Sequence, residues 1–114
     1  MDELLDKNLI AELKDVMEAD FVMLLDSYIT ESDKQFVSIK EAWQTKNIEL
    51  LGRSAHTLKG SCGNIGASGM ATLCMQLESK ASDNALDGVD ELLQELTMVH
   101  GNVLNAVGKL RANS

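Results

Sequence analysis

Apolar positions recur at steps of three and four along almost the whole chain and break into five runs. That spacing belongs to helices with one buried face. The first run, residues 7–18, carries Leu9, Ile10, Leu13, Val16 and Met17, with Asp6 placed as its N-cap. Its apolar band is wider than one packing seam needs, so it either lids the end of a bundle or leaves part of itself open for docking. A second helix is predicted from Asp20, as N-cap, to about Thr45. Phe21, Leu24, Leu25, Tyr28, Ser32, Phe36, Ile39 and Trp43 line one of its faces, which makes all four aromatics core residues. Val22 and Met23 fall at the edge of that face, near the first helix, and are candidates for partner contact together with Met17.

After a turn at Lys46-Asn47, a third helix capped by Asn47 places Ile48, Leu51, Ala55, Leu58, Cys62 and Ile65 on one narrow stripe and stops at Gly66. Ser68 is predicted to cap a fourth helix that carries Met70, Leu73, Cys74, Leu77 and Ala81 and ends near Asp83. Residues 84–88 form a loop of turn-formers. The last helix, capped by Asp87, runs from about Val89 to Arg111 with Val89, Leu92, Leu93, Leu96, Val99, Val103, Val107 and Leu110 on its stripe; His100, at the stripe's edge, reads as a partly buried structural histidine. The short link between the third and fourth helices makes them antiparallel neighbours. The predicted fold is all-α: an antiparallel up-and-down four-helix bundle with a short N-terminal capping helix, one domain over residues 1–114.

Composition sharpens this picture in three ways. The chain has no proline, in keeping with long uninterrupted helices. No apolar run approaches the roughly 18–20 residues that span a membrane, and the acidic start lacks the basic-then-apolar order of a secretory signal. A cytoplasmic protein without membrane contact is expected. The only cysteines, Cys62 and Cys74, lie on apolar stripes and read as reduced core thiols; with His56 and His100 they show no paired ligand spacing, so no metal site is expected. A net charge of −8 speaks against nucleic acid as a partner. Yet residues 50–77, 28 in a row, hold no acid while carrying Arg53, His56 and Lys59, in a chain with 18 acids. The surroundings of His56 are therefore predicted to be neutral to basic.

On the helical wheel His56 lies more than a third of a turn from the centre of the buried stripe and faces outward. Gly52, Gly60 and Gly63 share that outer face, with Lys59 between them and the stripe. Each glycine costs about 0.8–1 kcal/mol relative to alanine inside a helix, a concession that calls for a reason. One account is an exposed histidine on a poor helix. The other is an imidazole with its surroundings cleared for a bulky group or another protein's backbone, beside an ammonium one turn on, where an anion is carried.

The run His56-Thr57-Leu58-Lys59-Gly60-Ser61-Cys62-Gly63-Asn64-Ile65-Gly66-Ala67 closely resembles the signature of histidine-containing phosphotransfer (HPt) domains. Cys62 is the one departure, where that family has alanine or serine. The resemblance implies a phosphocarrier of a two-component phosphorelay: Nε2 of His56 accepts a phosphoryl group from a receiver-domain aspartate and passes it to another receiver. It implies that Lys59 steadies the phosphoryl oxygens and that Gly60 leaves them room. Ser61 would bond near the ring or cap a helix carbonyl, Arg53 would meet acids at a receiver's rim or stay solvated, and Gly63 would add clearance. Docking is assigned to Met17, Val22, Met23 and Gly52. The partners implied are response-regulator receivers and the receiver of a hybrid sensor kinase, with Mg²⁺ supplied by the receiver and no cofactor held here. Nothing in the surface pattern demands a dimer, so a monomer is expected.

An autonomous kinase would need a nucleotide site, and the glycines of residues 60–66 match neither G-x-G-x-x-G nor a phosphate loop ending in Gly-Lys-Ser/Thr. Dimerisation domains of histidine kinases carry an acid directly after the phosphorylated histidine, where this chain has Thr57. A carrier rather than an enzyme is expected. The rival is a helical adaptor that binds receivers without moving phosphate, a protein with no use for the His56-Lys59-Gly60 triplet.

Overall fold

The computed structural model describes residues 4–113, which form five helices and, among them, no strand. They are α1 (Lys7–Met17), α2 (Asp20–Gln44), α3 (Ile48–Asn64), α4 (Ser68–Ser82) and α5 (Val89–Ala112). Two caps are made by the residues the sequence points to. The Asp6 carboxylate accepts from the amides of Asn8 and Leu9, and the Asn47 side chain accepts from Leu50, each satisfying donors that a helix start leaves free. Three other caps shift by one residue. Ala19, Ala67 and Gly88 occupy the cap positions of α2, α4 and α5, while Asp20 and Ser68 are first helical residues. Gly88 enters α5 at φ +84°, and the carbonyl of Asp87, rather than its carboxylate, is held by the Lys80 ammonium.

The turn from α3 to α4 is fixed by Gly66 at φ +74°. Its amide donates to Gly63 and the Ala67 amide donates to Cys62, the paired bonds of a Schellman stop. The Gly66 carbonyl in turn accepts from the Asp6 amide at 2.9 Å, which ties the start of α1 to this end of the helix pair. A Cβ on Gly66 would sit 2.7 Å from the Asp6 Cβ, so the close approach requires glycine as much as the backbone angle does.

Contacts between helices set their directions. Ser38 meets Ser54 at 2.7 Å and the Tyr28 hydroxyl lies 3.8 Å from the Cys62 sulfur, so α2 and α3 run in opposite senses. The Trp43 indole donates to Asp90 at 2.7 Å, His100 meets Asp33 at 2.8 Å, and Arg111 pairs with Asp26, which gives α2 and α5 the same opposed register. Leu25, Ile39, Leu51, Leu58, Leu77, Leu96 and Val103 have no solvent exposure and fill the space between the helices, each worth about 1.5–3 kcal/mol on burial. Phe21 and Tyr28 are buried with them, and Phe36 and Trp43 pack against that core partly exposed.

Both cysteines are free and buried. Burial, reinforced by Cys62, pushes the Tyr28 phenol above its usual range, and its hydroxyl donates to the Met70 sulfur at 3.6 Å. The Cys74 thiol is likewise pushed up, first by its hydrogen bond with Cys62 and then by burial. His100 is more enclosed than its place at the stripe's edge implied, at 4% exposure, with its ring 4.6 Å from that of Phe36. No helix of the described residues is long and apolar enough to cross a membrane.

Candidate functional site

The α3 wheel places its residues as the periodicity requires. Leu51, Ala55, Leu58 and Cys62 are fully buried, and the His56 side chain, on the opposite side, is 65% exposed. Nothing lies within 4 Å of where a Cβ on Gly60 or Gly63 would be, so the outer face beyond the ring is open. Gly52 differs from these two. A Cβ there would meet the Ala81 Cβ at 3.3 Å, so this glycine lets α3 and α4 approach while it lines the groove beside His56. Arg53 lines the same groove, which runs between Ile48 and Ser82, and its guanidinium makes no ion pair among the described residues.

The ring's surroundings, with Lys59 and Arg53 set against Glu78 and Glu49, are neutral, but they are not free of acid. Nδ1 of His56 lies 2.8 Å from Oε2 of Glu78, and Nζ of Lys59 donates to Oε1 of the same carboxylate at 2.7 Å. Lys59, and after it His56, holds the Glu78 carboxyl below the usual carboxylate range. Glu78 is the acid that ends the acid-free run along the chain, and folding returns it to the first half of that run, against His56 and Lys59. The sequence held a usable signal. Ala67, at the bend between α3 and α4, stands midway between residues 56 and 78, so equal counting outward along antiparallel helices brings the two level. Linear charge patterning does not register such a pairing.

Lys59 is thus committed to Glu78 in this state, with a side chain 34% exposed, instead of standing free beside the ring. Ser61 is turned toward α2, where it lines a small groove with Tyr28, Glu31 and Asn64, and it is not brought to the imidazole. The three docking residues on α1 and α2 lie apart from His56. The Ser38–Ser54 and Tyr28–Cys62 contacts set His56 level with about Phe36, thirteen residues from Met23, or roughly 20 Å along the helix. Met23 is 66% exposed there and Val22 is half-buried. Met17 packs partly buried against the core, and the freely exposed apolar residue of α1 is its neighbour Val16, at 82%.

No His, Cys, Asp or Glu cluster of three or more among the described residues could hold a metal ion. What the site offers is an outward imidazole with one nitrogen occupied. Nε2 of His56 has no hydrogen-bond partner among the described residues, and the side chain that carries it is largely exposed. A family model described as Hpt domain matches residues 23–106. The chain belongs to the Hpt domain family. Among solved structures, this Hpt protein is similar to histidine-containing phosphotransfer protein B (HptB) from Pseudomonas aeruginosa PAO1, at 27% identity and a TM-score of 0.94, over 100% of this chain and 99% of that one. No curated protein sequence matches it.

Proposed function

We propose that this Hpt protein is a phosphocarrier that accepts a phosphoryl group on His56 from the aspartate of one receiver domain and passes it to another. The bundle that carries it is read as four antiparallel helices, α2 to α5, closed at one end by α1. The observation that supports the reading best is the occupied Nδ1. With that nitrogen held by Glu78 at 2.8 Å, a neutral ring presents the Nε2 lone pair outward, where a nucleophile for in-line displacement is needed.

The transfer forms an Nε2–P bond as the aspartyl O–P bond breaks, with that bond's electrons leaving on the receiver's carboxylate. Such transfers depend on positioning and charge neutralisation more than on covalent help. Gly60 and Gly63 keep side chains out of the approach, and Lys59, one turn from the ring, exchanges Glu78 for the phosphoryl oxygens as they arrive. Arg53, an unpaired cation in the groove, meets acids at the receiver's rim. Mg²⁺ belongs to the receiver's acidic pocket. A protein partner covering about 800 Å² of this surface extends far enough from His56 to rest on Val22 and Met23, with Val16 and Met17 at its margin. The donor is assigned to the receiver of a hybrid sensor kinase, the acceptor to a response regulator, and the carrier acts as a cytoplasmic monomer.

The test mixes the protein with a labelled, phosphorylated receiver and Mg²⁺, beside a His56→Gln version. Label on the wild type alone, lost in acid and stable in alkali, is the expected phosphoramidate. If receivers bind but neither version takes label, the protein is an adaptor and the carrier reading fails.

A further inference from the structure

Both cysteines of the chain meet across the hairpin formed by α3 and α4. Contacts nearer the open end of the pair set the register: Ala81 stands against Gly52, and Glu78 against His56 and Lys59. One turn closer to the bend, α3 presents Cys62 and α4 presents Cys74. The two thiols are hydrogen-bonded to each other, and neither has any solvent exposure. Cys62 is also the one place where residues 56–67 depart from the phosphotransfer signature. The departure therefore makes a pair of thiols, not a lone one.

The two sulfurs are not equivalent. Cys62 has a second polar neighbour in the Tyr28 hydroxyl, 3.8 Å from its sulfur. The hydrogen bond with Cys74, and after it that with Tyr28, holds the Cys62 thiol below the usual thiol range, whereas Cys74 is pushed up. The thiolate is the nucleophilic form of cysteine, so Cys62 is the sulfur that attacks and Cys74 the one that resolves. Burial keeps bulky reagents from both. A small groove between α2 and the end of α3, lined by Leu24, Ser61 and Asn64, reaches Tyr28 and gives a molecule little larger than water a way toward Cys62.

We propose that Cys62 and Cys74 are an oxidisable pair, which a small hydroperoxide converts into a disulfide that staples α3 to α4 one turn from Lys59 and Glu78. The inference goes beyond the carrier reading and does not depend on it. In the first step the Cys62 thiolate attacks the peroxide, the O–O bond breaks, and the leaving oxygen takes the thiol's proton to become an alcohol, or water from hydrogen peroxide. Cys62 is left as a sulfenic acid. In the second step the Cys74 sulfur attacks that of Cys62, the S–O bond breaks, and the hydroxyl leaves as water with the Cys74 proton. The two thiols together lose two electrons, and the peroxide gains them. The bridge closes the loop of residues 62–74 and is reversed by exchange with a free thiol. A pair of this kind rests reduced in a reducing compartment and bridges only while oxidant is present.

The experiment treats the whole, fully reduced protein with excess hydrogen peroxide, then unfolds it in denaturant with a thiol-alkylating tag and weighs it. Two tags before oxidation and none after are expected. Tryptic peptide 60–80 has no internal Lys or Arg and carries both cysteines. It should gain two hydrogen atoms on reduction with dithiothreitol, a change that methionine oxidation does not produce. The bridged protein should melt about 10 °C above Cys62→Ala and Cys74→Ala proteins given the same treatment. Should either variant fail to fold, the tag count and the peptide mass on wild type decide alone. Two tags remaining after peroxide overturn the proposal. So does an oxygen on Cys62 in place of the bridge, or a bridge found only between two molecules.

Discussion

Replacing Gly60 by alanine should make this protein more stable and a worse carrier. Gly60 lies inside α3, one turn beyond His56, and its added Cβ meets nothing within 4 Å. No packing is lost, so helix propensity alone decides the stability, a gain of about 0.8–1 kcal/mol. For a domain of this size that raises the melting temperature by about 3–4 °C. The same methyl group, however, stands on the face where the phosphoryl group and the receiver must approach, about 6 Å from the His56 Cβ. Displacements on the scale of an ångström at a reacting centre cost up to about a hundredfold in rate, so transfer should fall by ten- to a hundredfold. Gly101 supplies the control. It too meets nothing within 4 Å, but on α5, so Gly101→Ala should gain the same stability and transfer phosphate at the wild-type rate. Thermal and urea melts followed by helical circular dichroism, beside receiver transfer assays, read both quantities. If Gly60→Ala is stabilised and transfers like wild type, the cleared face has no part in transfer. If it melts below wild type while Gly101→Ala rises, the glycine is there for structure.

Gly66→Ala is expected to act oppositely. A left-handed alanine costs about 1–2 kcal/mol and its Cβ displaces Asp6, whose amide bond to the Gly66 carbonyl is worth about 1 kcal/mol more. Urea unfolding should therefore report a loss of about 2–3 kcal/mol, and a loss under 1 kcal/mol would contradict the close approach of α1. The Lys59–Glu78–His56 contacts carry a pH signature. Because the folded state holds the Glu78 carboxyl below its unfolded value of about 4.3, its contribution is present above that pH and disappears as pH falls through the lower folded value. The stability difference between wild type and Glu78→Gln, under about 1 kcal/mol for so exposed a pair, should be complete above about pH 5 and shrink steadily as pH falls below about 4.3. A difference that stays constant over that range would place its origin elsewhere.

Local order was legible because it is written locally. Positions three and four apart share a helix face whatever the rest of the chain does. The stripe from Leu51 to Cys62 and the outward His56 could thus be read directly, as could the Asp6 and Asn47 caps and the glycine stop at Gly66. Cap assignments erred by a residue at Asp20, Ser68 and Asp87, where a polar residue next to the true cap offers the same signal. Exposure at the edge of an apolar band was harder to read. Met17 and Val16 are neighbours of similar hydropathy, and only the seat of α1 on α2 sends the first partly inward and leaves the second in solvent.

The partner of the imidazole belongs to another order of information. Sequence alone settled that His56 faces outward from a helix cleared by glycines, with a lysine one turn away. Which atoms surround it was decided by the hairpin at Ala67, whose register folds a carboxylate 22 residues distant onto a stretch that has no acid of its own. Helix phase is fixed by each residue's near neighbours, whereas the charge that an ionisable ring feels depends on spatial separation, which only the packing of α3 against α4 sets.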